Sequence, residues 1–115
     1  MGYKNDTGIA ISEDVITKMV ATAALEVDGI AELAIKPTNI KGLIRGKSAK
    51  SVIAKFSNNA MFIDVFVKLK EGAEIVTVCE NAQKTIKDTL QNMTGKAVTK
   101  INIHVVDIEI NEEEK

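Results

Sequence analysis

The side chains that could do chemistry are few. The chain has one cysteine, Cys79, and one histidine, His104. A nucleophile–base pair would need these two within about 3 Å of each other. Cys79 falls at helical spacing with Ile75, Val78, Ala82, Ile86, Leu90 and Met93, so it reads as a small buried hydrophobe in an apolar stripe. Reactive thiols need an electropositive, exposed setting instead. His104 alternates with Ile103 and Val105, which places it with Asn102 on the outer face of a strand. The thiol is then expected beneath a sheet and the imidazole above it. One His and one Cys also fall short of a transition-metal site. No catalytic residue, metal site or cofactor is expected.

Two further patterns could suggest chemistry. Gly46-Lys47-Ser48 imitates the end of a phosphate-binding P-loop, but Lys41 stands where the motif needs its first glycine. Gly42-Leu43-Ile44-Arg45-Gly46 also misses the GxxG loop that clamps RNA in KH domains. Among the carboxylates, Asp64 lies inside a strand with Phe62 and Phe66 as face-mates. Two rings beside a carboxylate would raise its pKa. On a solvated face it would simply keep that face soluble.

These residues need elements to place them. Gly8 to Ser12 reads as a short strand ending on an N-cap serine, followed by Glu13 and Asp14 at the positive helix end. Val15, Ile16, Met19, Val20, Ala23, Ala24 and Val27 then make one helical stripe, closed by Gly29. Ile30 to Ile35 reads as a short strand, and Lys36 to Lys50 as a long loop. Ser51 to Phe56 and Met61 to Leu69 are strands joined through Ser57-Asn58-Asn59. In the second, Met61, Ile63, Val65, Val67 and Leu69 point one way; Phe62, Asp64, Phe66 and Lys68 point the other. A second helix runs to Thr94-Gly95, with Glu74 and Glu80 early and Lys84 and Lys87 late, which suits the helix dipole. The last strand, Ala97 to about Ile110, changes parity between Val105 and Val106: either a β-bulge there turns both sets to the core, or the strand leaves the sheet at that point.

The order strand, helix, strands, helix, strand predicts an α+β domain over residues 8–110. Two helices should cover one face of a mainly antiparallel four- or five-stranded sheet, split βαβ-like. Residues 1–7 are a polar lead-in and 111–115 an acidic tail.

At 115 residues the chain is one domain, long enough for a core without disulfide staples. Its 15 Lys and Arg offset 16 Asp and Glu, so net charge makes no case for a nucleic-acid or membrane binder. The longest apolar run near the start, Met19 to Leu25, is far short of the about 20 residues that cross a bilayer. No leader or lipidation pattern is present, and a cytoplasmic location is expected.

Charge placement is less even. From Leu33 to Ile63 there are six basic residues and no acid, whereas from Asp107 onward there are five acids and one Lys. A solvated loop and tail would produce that pattern. So would a partner surface for an acidic protein, an anionic membrane surface or RNA. The candidate contact residues are Phe62, Phe66, Lys41, Arg45, Lys47 and Lys50. The RNA alternative would use the basic 36–55 segment and the Phe62/Phe66 face, as an RRM stacks bases on sheet aromatics. Asp64 between the rings opposes it, and the chain has only four aromatic residues.

The residue pattern resembles the bacterial alkaline-shock-protein family of envelope stress-response proteins. The match runs through Gly8-Ile9-Ala10-Ile11-Ser12, Val15-Ile16, Ala23-Ala24 and Glu26-Val27-Asp28-Gly29-Ile30. It continues in the Met61 to Leu69 strand, Gly72, Ile75, Val78, Gln83, Met93-Thr94-Gly95, Val98 and Ile101-Asn102-Ile103-His104-Val105. Glu71, where the family often has an aromatic, and the basic Lys36 to Lys50 loop depart from it. The resemblance implies a non-enzymatic cytoplasmic scaffold module that forms homo-oligomers or docks on a protein partner. Some such modules are brought to the membrane by a separate membrane-anchored partner, and the family is tied to envelope stress and cell-wall homeostasis. One branch is associated with acetyl-CoA carboxylase and fatty-acid synthesis; the short chain and acidic end look more like that branch.

Overall fold

A computed structural model describes residues 2–4, 10–35, 50–57, 60–95 and 100–110. The elements are β1 (Gly2–Lys4), β2 (Ala10–Ser12), α1 (Glu13–Leu25), β3 (Ile30–Leu33), β4 (Val52–Ser57), β5 (Ala60–Lys70), α2 (Ile75–Thr94) and β6 (Lys100–Glu109). The basic segment with Lys41, Arg45 and Lys47, the Asn58-Asn59 turn and the acidic tail lie outside the described residues.

β5 organises the sheet. Along one edge it pairs in parallel with β6, from Phe62↔Lys100 to Lys70↔Glu109. Its other edge is shared: β4 pairs antiparallel with residues 60–65, and β3 with residues 67–69. At the handover Phe66 donates its N–H to Ser51 O at 2.9 Å and accepts from Ala34 N at 2.7 Å, so neither backbone group is orphaned. Among the described residues the sheet is therefore four-stranded and mainly antiparallel, in an α+β fold with α2 as the crossover that a parallel neighbour requires.

One strand is elsewhere. Rather than joining the sheet as the split βαβ order predicts, β2 pairs with β1 in a separate two-stranded ribbon, with Gly2↔Ser12 and Lys4↔Ala10 in register. Three paired residues suffice for β2 because α1 starts immediately after it. Ser12 is the N-cap, its Oγ accepting from Val15 N at 3.2 Å, and Glu13 and Asp14 fill the first turn.

The core is the inner face of β5 against both helices. Met61, Ile63, Val65, Val67 and Leu69 are fully buried, packed with Ile16, Val20 and Ala24 of α1 and Val78, Ala82, Ile86 and Leu90 of α2. The helical stripes are narrower than their spacing suggests. Val15 is 46% exposed and Met93 64% exposed, and Ile75 is exposed as well. Glu74 is the N-cap of α2, at its positive end, but Lys84 and Lys87 lie mid-helix and the last turn holds no base, so the basic half of the expected charge pattern does not reach the helix end. α2 stops at Gly95, which takes the left-handed conformation at φ 74°. Gly29 opens β3 at φ 101°, and an added Cβ would meet Val78 Cγ2 at 2.5 Å. The turn after α1 is thus pressed directly against α2.

The parity change in β6 is a bulge. The register steps between Val67 and Lys68, so that Val67 faces Val105 and Lys68 faces Asp107. Val106 is the extra residue and is exposed; Ile108 returns to the inner side opposite Leu69.

Candidate functional site

On the outer side of the same sheet, alternate residues of β5 meet β6 and β4. Each crossing row follows from register. Lys55, Phe62 and Lys100 make one row; Ile53, Asp64 and Asn102 the next; Phe66 and His104 the next. β3 adds Glu32, whose carboxylate lies 3.3 Å from Lys68 Nζ.

The centre of this face is a connected polar cluster. His104 Nε2 lies 2.9 Å from Asp64 Oδ1, donating its N–H to the carboxylate. Asn102 Nδ2 donates to the same oxygen at 3.0 Å. The His104 ring stacks on Phe66, with centroids 4.4 Å apart and planes 12° apart. Stacking on one side and a hydrogen bond at its edge hold the imidazole in one pose while its side chain stays 44% exposed.

Asp64 corrects the idea that two rings raise its pKa. Its carboxyl is held below the ordinary value, first by the His104 hydrogen bond; partial burial opposes this, and Asn102 and the charges of His104 and Lys55 add to the lowering. A folded value below the unfolded one adds stability above the unfolded carboxylate range. That stability is lost as pH falls through the folded value.

Several expected residues find their places here. Phe62 is half-buried on the outer face, between the exposed ends of Lys55 and Lys100. Phe66 is only 7% exposed, so its ring supports His104 rather than offering free contact area. Lys50 is exposed ahead of β4 and lines a cleft of about 330 Å³ with Glu13, Asp14 and Thr17, away from the cluster. Cys79 is half-buried on α2, and burial pushes its thiol up, away from the reactive thiolate. It lies on the helix side of the sheet and His104 on the opposite side, so no nucleophile–base pair forms between them. Among the described residues no group of three potential ligands could hold a metal ion.

The joining of Asp64 to Asn102 and His104 was the part hidden from the sequence. Each residue is assignable to an outer face by alternation. Only the parallel β5–β6 register, across a separation of 38 and 40 residues, shows that they touch.

A second feature lies on the helix side. Val15, Met19 and Ala23 of α1 with Met93 of α2 line an open groove of about 340 Å³, Val15 and Met93 being the exposed members. Thr22 and Thr89 also line it, and Lys18 and Glu26 flank it. A third cleft, of about 350 Å³, lies where Gly29 and Gly72 meet the start of α2. None of these three clefts is lined by Asp64 or His104.

Comparison with known proteins gives one family. The model of the alkaline shock protein 23 family, described as having a cell envelope-related function, matches residues 2–110. The uncharacterized protein YqhY of Bacillus subtilis is 33% identical over 107 residues, covering 90% of this chain and 78% of that protein. The uncharacterized protein Spy1614 of Streptococcus pyogenes is 29% identical over 106 residues, covering 89% and 88%. Among solved structures, a copper form of the MamM CTD superposes with a TM-score of 0.59 at 11% identity, covering 87% of this chain and 90% of that one. At that identity the likeness is one of fold alone. Among the described residues no helix is long and apolar enough to cross a membrane.

Proposed function

The chain belongs to the alkaline shock protein 23 family, whose function is cell envelope-related, and on that premise we propose that it is a non-enzymatic interaction module working beside the envelope from the cytoplasmic side. Its outer sheet face docks a partner protein, and a membrane-anchored partner would bring it to the membrane.

One observation carries this reading. The outer face is organised beyond what solubility needs: His104 is fixed by Phe66 and Asp64 while still exposed, and two rows along the same face Phe62 stands between two lysines. Side chains already held in place lose little freedom on binding, which is how a surface gains affinity without a deep pocket. Lys55 and Lys100 beside an aromatic suit a partner segment that joins an apolar side chain to acidic ones. An envelope role in the stress response and a scaffold role in lipid or cell-wall homeostasis fit the same reading.

Site-specific photo-crosslinking in the native cell tests it. A crosslinker at position 62 should give a discrete adduct with a protein other than this chain, in the membrane fraction. The same group at position 76, exposed on α2, should not. No adduct from position 62, or equal adducts from both, would overturn the docking face.

A further inference from the structure

We propose that the groove between α1 and α2 seats α1 of a second copy of this chain, in an antiparallel pair about a two-fold axis near Thr22. This goes beyond the docking face and rests on the proposed function only in treating the chain as an interaction module.

The groove has a floor of Ala23, buried in the core, and Met19, packed against it, with Val15 and Met93 left exposed at its sides. Val15 is 46% exposed and Met93 64%. Thr22 and Ala23 lie between them and are small, which lets a second helix approach closely. Apolar side chains left at a groove between two helices are the usual seat for a third helix.

Charge selects the occupant. Lys18 and Glu26 stand four residues on either side of Thr22, about 6 Å along the axis in each direction. Both flank the groove, and neither makes an ion pair among the described residues. A second α1 laid antiparallel about Thr22 puts Lys18 of one copy opposite Glu26 of the other, twice over. A parallel α1 would put Lys18 against Lys18 and Glu26 against Glu26. A two-fold axis can relate two helices in parallel or antiparallel, and only the antiparallel pair is self-complementary in charge here. By symmetry each α1 enters the other's groove, so Met93 of each copy meets the partner's α1. Thirteen residues of α1 make a contact only about 20 Å long. Such a contact falls at the small end of specific interfaces and calls for a weak dimer.

Sedimentation equilibrium of the full chain across a concentration series tests this, with circular dichroism confirming the fold of each variant. The wild type should show a reversible monomer–dimer equilibrium. Lys18→Glu and Glu26→Lys should each weaken it by about tenfold or more, because each places like charges together at two symmetric points. The double variant Lys18→Glu/Glu26→Lys restores opposite charges across the axis and should return association to within about threefold of wild type. A base at position 26 favours the negative end of α1, and Lys18→Glu sets an acid four residues after Asp14, a small cost to the helix that circular dichroism checks. A wild type that stays monomeric overturns the inference, as do single variants without effect or a double variant as weak as the singles. None of those results touches the outer sheet face, which fails or stands on the adduct at position 62.

Discussion

The two faces of β5 differ in kind, though they alternate along one strand. Met61, Ile63, Val65, Val67 and Leu69 are fully buried against the helices. Phe62, Asp64, Phe66 and Lys68 face the other way and carry a stacked ring, a shared carboxylate oxygen and an ion pair. The inner row has one task, which any close-packed apolar set performs. The outer row is specific in a way that packing alone does not demand. On the proposed reading, core packing and partner contact are separated by a single step along the chain, because the side-chain period of a strand is two.

Four substitutions would break or sharpen that contrast. The largest effect belongs to the inner row: Ile63→Ala leaves a cavity at a fully buried site and should lower unfolding free energy by about 3 kcal/mol in a urea titration. Phe66→Ala should cost about 2 kcal/mol despite lying on the outer side, because its ring is almost fully covered and supports His104. A loss as large as that of Ile63→Ala would mean that the outer side is a second core.

Asp64→Asn is smaller, at about 0.5 kcal/mol near neutral pH, for a carboxylate still 22% exposed. Its signature is the pH dependence. The wild type loses the Asp64 contribution as acid protonates the lowered carboxyl, so the difference between the two proteins should shrink below about pH 4. A difference that instead grows on acidification would reverse the assignment of that group. Lys68→Ala removes one partner of an exposed ion pair with Glu32 and should change stability by less than about 0.5 kcal/mol.

Much of this was legible in residue order. Alternation from Met61 to Leu69 assigns both faces of β5, the 3.6-residue stripes place both helices beneath it, and the parity step at Val105-Val106 marks the bulge. Three things were not. β1 has too little pattern for a strand, and β2 reads the same whether it joins the sheet or the ribbon. The stripes show which residues are apolar but not where the partner helix ends, so Val15 and Met93 read as core although they line the groove. The Asp64–Asn102–His104 cluster depends on which strand lies beside β5 and in what register. No local pattern encodes that; it follows from the crossover through α2.

The central claim is that Phe62 and His104, the more accessible rings of the outer face, serve contact rather than folding. The double variant Phe62→Ser/His104→Ala tests it most directly, with unfolding free energy and recovery of the membrane-fraction partner measured on the same preparation. The expected result is a folded protein, less stable by only about 1–2 kcal/mol, that no longer recovers the partner. A variant that folds and still recovers the partner at the wild-type level would contradict it.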